Sequence, residues 1–169
     1  MKKSLATALL SCAAILVLWG TASAQERKSP ADSVSGKIGN AGVQIRYSSP
    51  SVKGRKIWGD LVPYGQVWRS GANEATTFQT DKDVMVEGKK LPAGKYSLFT
   101  IPGEKDWTVI FNKTADQWGA FKYDAKQDVL RVTVQPKKAV TLRERLSYGI
   151  SKNGISLMWE NLEVPVSIR

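Results

Sequence analysis

Along most of the chain, apolar and polar residues alternate with a period of two. Val43, Ile45 and Tyr47 alternate with Gln44, Arg46 and Ser48, and Leu130, Val132 and Val134 with Arg131 and Thr133. Ile155, Leu157 and Trp159 alternate with Ser156, Met158 and Glu160, and Val164, Val166 and Ile168 carry the spacing to the C-terminus. Trp107, Val109 and Phe111 follow it as well, although Ile110 fills one of the intervening positions. Successive side chains of a strand point to opposite faces, so each run predicts a half-buried β-strand. A helix would repeat its apolar positions every three to four residues.

Turn chemistry separates these runs. Asn40-Ala41-Gly42, Glu87-Gly88-Lys89, Leu91-Pro92-Ala93-Gly94 and Pro102-Gly103 all favour tight reversals, and Asn153-Gly154 is a two-residue hairpin signal. Many short strands at such spacing predict an all-β fold, an antiparallel β-sandwich of jelly-roll or Ig-like type. No linker or internal repeat divides it, so one domain is expected over residues 33–169. Two segments break the rhythm. Ser49 to Asn73 carries Gly54, Gly59, Gly65 and Gly71 at near-regular intervals, with Trp58, Tyr64 and Trp68 among them. Lys113 to Asp128 contains Gln117-Trp118-Gly119-Ala120-Phe121-Lys122-Tyr123-Asp124 and has room for a short helical turn. Long loops in compact domains are often binding loops or lids.

The N-terminus follows a different pattern. Lys2 and Lys3 precede an apolar stretch from Leu5 to Gly20, and Ala22-Ser23-Ala24 has the small residues of a cleavage site. This predicts a signal peptide over 1–24, cleaved after Ala24, then a polar leader over 25–32 and an exported protein, periplasmic or secreted. Lipid anchoring at Cys12 is the alternative, but the strongest apolar residues, Ile15 to Trp19, follow the cysteine. The apolar stretch is short for a membrane span, so none is expected in the mature chain.

Composition narrows the chemistry. The 169 residues include no His and one Cys, Cys12, so cleavage leaves a cysteine-free domain that forms no disulfide. Imidazole acid–base catalysis, histidine-based triads and His-ligated zinc are excluded. No cofactor and no metal is expected. Removing residues 1–24 takes away two lysines and no acid, so the formal charge falls from +10 to +8. The cations read as dispersed groups: Lys53, Arg55 and Lys56; Lys89 and Lys90; Lys137 and Lys138; Arg143 and Arg145. Without a dense basic tract, a solvated surface or attraction to anionic envelope polymers is expected, not nucleic acid.

Several long motifs resemble the secreted bacterial family catalogued as domain of unknown function 2911. They are Gly54-Arg55-Lys56-Ile57-Trp58-Gly59, Leu61-Val62-Pro63-Tyr64-Gly65, Val67-Trp68-Arg69 and Gly71-Ala72-Asn73-Glu74-Ala75-Thr76-Thr77. Leu91 to Gly103, Trp107 to Asn112 and Gln117-Trp118-Gly119 continue the match over nearly the whole mature chain. The resemblance implies an exported single-domain β protein and implies no activity.

The remaining chemistry rests on carboxylates, hydroxyls, guanidinium groups and aromatic rings. Arg69 is suited to clamp an anionic group, Asn73 to donate and accept, and Glu74 to accept hydroxyl protons. The structural alternative has Arg69 and Glu74 pair with each other or cap loop backbone, fixing the Gly-rich segment. Trp58, Tyr64, Trp68, Trp118 and Tyr123 are the loop aromatics able to stack on a ligand, although for each one singly anchoring of the loop is the favoured role, whereas Trp107 and Trp159 belong by parity to the core. Glu74, Asp60, Asp116 and Asp124 flank the loops as candidate glycosidase carboxylates. Asp81 with Asp83, and Asp124 with Asp128, lack calcium-loop spacing. Ser70 and Ser97 lack a nucleophile-elbow context. The leading expectation is a non-enzymatic module binding a polar or anionic envelope ligand such as a glycan. A carboxylate-dependent hydrolase of glycans or esters is the second, and a structural envelope protein without a ligand the third. The oligomeric state is not legible.

Overall fold

The computed structural model describes residues 27–169. The expected signal peptide, its expected cleavage site and the anchoring alternative at Cys12 lie outside the described residues. Ten strands follow one another: β1 (Ala31–Ile38), β2 (Ala41–Ser48), β3 (Thr77–Thr80), β4 (Val84–Val86), β5 (Lys89–Leu91), β6 (Gly94–Ile101), β7 (Trp107–Asn112), β8 (Asp128–Val134), β9 (Lys137–Ser151) and β10 (Gly154–Ser167). A single 3-10 turn, Ala125–Gln127, precedes β8. The architecture is the antiparallel β-sandwich that the alternation predicts. β1 begins inside the stretch read as a leader, because Ala31 and Asp32 already pair with Ser48 and Tyr47.

Six strands form one sheet in the order β1-β2-β3-β6-β7-β8, a meander from which the β4–β5 hairpin makes one excursion. β9 and β10 pair with each other and supply the opposing layer. The register stacks the inward positions in rows: Ile45 opposite Phe78 opposite Tyr96, and Leu98 opposite Phe111 opposite Leu130. These rows pack against Leu146, Leu157, Trp159, Val164 and Val166 from the second layer in one core.

β10 is not straight. Its pairing with β9 shifts register on both sides of Glu160, which adopts φ 53. Beyond it the chain returns, so that the Ile168 N–H donates to the Asn153 carbonyl at 3.0 Å. The loop between β9 and β10 is Lys152-Asn153, one residue earlier than the Asn-Gly signal suggests; Gly154 already pairs with Ser151.

The Ser49–Asn73 segment closes the sandwich. It contributes Ile57, Trp58, Val62 and Trp68 to the core, and no regular strand. Trp58 and Trp68 meet Trp107 and Trp159 in a cluster of four indoles. Trp58 lies edge-on to Trp107 at 5.0 Å between centroids and to Trp159 at 5.7 Å, while Trp68 stacks on Trp159 at 5.9 Å. The backbone seals the arrangement: Trp68 exchanges N–H···O bonds with Thr100 in both directions. Burial of this much aromatic surface is why a segment without regular secondary structure holds one conformation.

Candidate functional site

The outward face of the six-stranded sheet divides into two halves. On β6, β7 and the loops above them, Phe99 and Ile110 are buried beneath Val67, Ala75, Ala120 and Tyr123. On β1, β2, β3 and β6 the same face is polar. Ser33, Arg46, Thr77 and Ser97 stand opposite one another across four strands, and Gln44, Gln79 and Lys95 form the next row. Neighbouring outward positions of one strand lie two residues apart, so the rows share a face and make a continuous polar surface.

The 113–124 loop walls off this surface on one side. Ser97 donates its hydroxyl to the carbonyls of Thr114 (2.7 Å) and Ala115 (2.8 Å), and the Asn112 amide reaches the Asp124 carbonyl (3.0 Å) and Asp128 Oδ1 (2.8 Å). The loop then pairs with the 73–75 segment: Ala75 N–H donates to Gln117 O at 2.9 Å and Gly119 N–H to Asn73 O at 3.0 Å. Glu74 and Trp118 face each other in this short ladder. The result is a groove of about 760 Å³ lined by Arg46, Thr77, Lys95, Asp116, Glu74 and Trp118, with Arg27 and Asp32 at its rim.

Charge in the groove is balanced. Arg27, Arg46 and Lys95 face Asp32, Glu74 and Asp116. Arg27 Nη1 donates to both Glu74 oxygens at 2.8 and 3.0 Å, and Lys95 Nζ to Asp116 Oδ1 at 2.7 Å. Arg46 uses Nε on Gln44 Oε1 at 2.9 Å and makes no ion pair among the described residues. Glu74 is held below the usual carboxylate range by its own backbone N–H first; burial pushes the other way, and Arg27 adds to the lowering. Trp118 stands 58% exposed at the wall, a large apolar surface on a backbone that is pinned on both sides.

The sequence candidates do not converge on one place. Glu74 and Trp118 line the groove. Asn73 adjoins it without facing it: with φ 56, it donates its side-chain amide to the Ser29 carbonyl at 3.1 Å, tying down the chain before β1. Tyr123 lies on the apolar half, edge-on to Phe99, donating to Asp128 Oδ2 and accepting from Arg131 Nη2, both at 2.6 Å. Tyr64 is exposed at the opposite end, its ring over Gly59. Trp58 and Trp68 are corrected from ligand contacts to core residues, because their rings are consumed by the indole cluster. The Arg69–Glu74 pair is not formed either, since Glu74 takes Arg27 as its partner. Arg69 is half-buried, its Nε has no partner among the described residues, and burial lowers its pKa. Asp116, read as a candidate carboxylate beside the second loop, also lines the groove, whereas Arg46, Lys95 and Arg27 escaped the sequence reading. The outward parity of Arg46 and Lys95 in the alternating runs was the signal available for two of them.

Tyrosines around the site make the fold sensitive to alkali. Burial first, and then its hydrogen bond to Asp32 (2.9 Å), push Tyr47 up to about 12; burial and Asp128 do the same for Tyr123. Tyr148, 4.9 Å from Tyr47 and donating to the Ser70 carbonyl at 2.8 Å, is raised further by complete burial. A folded pKa above the ordinary value of 10 means the neutral phenols stabilise the fold fully below pH about 10, and that stability is lost as pH rises through the folded values. We expect phenolate absorbance of these residues to emerge only with cooperative loss of the near-ultraviolet circular dichroism. Ionisation near pH 10 with that signal intact would contradict the assignment.

Among the described residues no group of acidic side chains is arranged to hold a metal, and no helix is long and apolar enough to cross a membrane. Residues 29–168 match the model of the family described as protein of unknown function (DUF2911). The chain belongs to this family, as its motifs suggest. No curated protein and no solved structure matches it.

Proposed function

We propose that this is an exported domain that binds a glycan in the groove on the polar face of the sheet. The observation that carries the reading is Trp118: an indole 58% exposed, fixed by a backbone ladder beside a rigid row of donors and acceptors. An exposed indole face suits the apolar face of a pyranose ring, and the surrounding ions and amides suit its hydroxyls. Three cations against three acids favour a neutral sugar over a strongly anionic one. Glu74 is held below the usual carboxylate range, which suits it to accept hydrogen bonds from sugar hydroxyls and not to serve as the protonated acid of a glycosidase.

Titration of the protein with neutral and acidic oligosaccharides, followed by tryptophan fluorescence and calorimetry, tests this. Trp118→Ala is expected to lose about 2 kcal/mol of binding, roughly thirtyfold in Kd, as buried interface tryptophans do. Its thermal stability should stay unchanged. A glycan that binds the variant as well as the parent would displace the site, and no binding across the panel would end the reading. Export is tested separately, by the N-terminal sequence of protein recovered outside the cytoplasm; Gln25 is the expected first residue.

A further inference from the structure

The surplus of positive charge, which reads as dispersed along the sequence, is gathered by the fold along β9 and the segment that follows β2. The segment after β2 runs antiparallel to β9: Val52 N–H donates to Glu144 O at 2.8 Å, Leu146 N–H to Pro50 O at 2.9 Å, and Ser51 bridges to Arg145. Lys53, Arg55 and Lys56 are thereby carried alongside Arg143 and Arg145. Lys56 in turn borders a depression with Glu160, Asn161 and Leu162. Leu162 and Glu163 are the register partners of Lys138 and Lys137. All seven cations are exposed, and none makes an ion pair among the described residues. The acids nearby are fewer: Glu163 stands opposite Lys137 and Glu160 opposite Arg143. Glu144 accepts from the Lys53 backbone N–H at 2.9 Å, and Glu160 and Glu104 lie along the depression.

The register between β9 and β10 breaks in the middle of this patch. Arg143 stands opposite Glu160, and the next pair is Lys138 opposite Leu162. Four residues of β9, 139–142, therefore span the same interval as Asn161 alone and must bulge outward. At the tip Val140 is fully exposed, at 101%, and Leu142 is 67% exposed. Leu61, whose N–H donates to the Lys56 carbonyl at 3.3 Å, and Tyr64 add exposed apolar surface beside it. Two aliphatic side chains at the apex of a projecting bulge gain nothing from folding of this chain.

Cations around an apolar tip match the layering of an anionic lipid surface, where phosphates lie outside and hydrocarbon begins a few ångströms below. Long Lys and Arg side chains reach the phosphates while a short apolar tip passes between headgroups. A soluble polyanion would satisfy the cations and leave Val140 and Leu142 in water. We propose that this surface of the protein docks peripherally on bilayers containing anionic phospholipid, with Val140 and Leu142 inserted and the surrounding lysines and arginines on headgroup phosphates.

The test uses the full chain with an environment-sensitive fluorophore at Val140→Cys in a Cys12→Ser background, mixed with phosphatidylcholine vesicles with or without phosphatidylglycerol. A tip-local probe reports insertion whatever the apolar N-terminal run contributes to vesicle binding. A blue shift on the phosphatidylglycerol vesicles alone is expected. Each of Lys137→Gln, Lys138→Gln and Arg143→Gln should weaken the apparent affinity about fivefold, and added salt should weaken it further. Leu142→Asp, at an exposed position where folding is not at stake, should abolish the shift. An unshifted probe on anionic vesicles would overturn the proposal. So would an equal response to soluble polyphosphate, or a Leu142→Asp variant that still inserts. None of these results bears on Trp118 or the glycan groove.

Discussion

Trp107→Ala should lower the unfolding free energy by about 3–5 kcal/mol, the range for truncating a buried aromatic, and the Tm by roughly 10–15 °C for a domain of this size. Trp107 is wholly buried. It is the inward residue at the start of β7 and meets the edges or faces of Trp58 at 5.0 Å and Trp68 at 6.5 Å. Those two partners come from the Ser49–Asn73 segment, so the cavity would open beneath a long stretch that forms no regular strand. The neighbours cannot all collapse into the gap, because Trp68 is also held by Thr100 and by its stack on Trp159. The indole N–H groups of Trp58, Trp107 and Trp159 are buried without a conventional acceptor, and edge-to-face contacts offer them ring faces instead. Denaturant unfolding and near-ultraviolet circular dichroism measure the loss. Trp118→Ala is the control, expected to move stability by less than about 0.5 kcal/mol because its ring is mostly in water. A Trp107 variant no more damaged than that control would mean the cluster is not the keystone of the core.

The sandwich was legible because period-two alternation is a local property, and tertiary structure here agrees with it. Val43, Ile45 and Tyr47 point inward as their spacing requires, and so do Leu130, Val132 and Val134. What alternation does not carry is the destination of residues outside strands. Trp58 and Trp68 looked available because they sit among glycines in a loop. They are buried because an open sandwich end must be plugged, and a glycine-punctuated segment can bend far enough to insert indoles there. Nothing in their neighbourhood distinguishes a plug from a ligand platform.

The groove was half legible for a related reason. Glu74 and Trp118 were singled out from two separate motifs, and the ladder that joins them depends on pairing between segments more than forty residues apart. Arg46 and Lys95 were visible as outward positions, yet a polar outward face is the ordinary state of a strand in water. Only the register, which sets Arg46 opposite Thr77 and Thr77 opposite Ser97, turns such positions into one surface. The basic patch shows the same limit. Lys53, Arg145 and Lys138 are scattered over 93 positions of sequence, and a long-range antiparallel contact brings them to one patch.

Gly154→Ala should be as damaging as the loss of Trp107, by about 3–5 kcal/mol, from a single added methyl group. Gly154 adopts φ 144, where an L-residue is strained. A Cβ there would lie 2.0 Å from the Val166 carbonyl oxygen and 2.9 Å from the Ile168 nitrogen, both backbone atoms of the returning arm of β10. A side chain could rotate away; this arm cannot, because Ile168 is bonded to Asn153 and bridged to Val86, and Arg169 exchanges two backbone hydrogen bonds with Met85. Backbone strain and overpacking, each worth about 1–3 kcal/mol, act together here. The glycine is thus required by the close passage of the C-terminal arm rather than by the hairpin turn its Asn-Gly pairing suggests. Gly88→Ala separates the two terms: Gly88 has φ 78, but a Cβ there would meet nothing within 4 Å. It should lose only the conformational part, about 1 kcal/mol. Equal losses in the two variants, measured by denaturant titration, would show that the arm yields. A much larger loss at Gly154 would show that the fold of β10 leaves no space for even the smallest side chain.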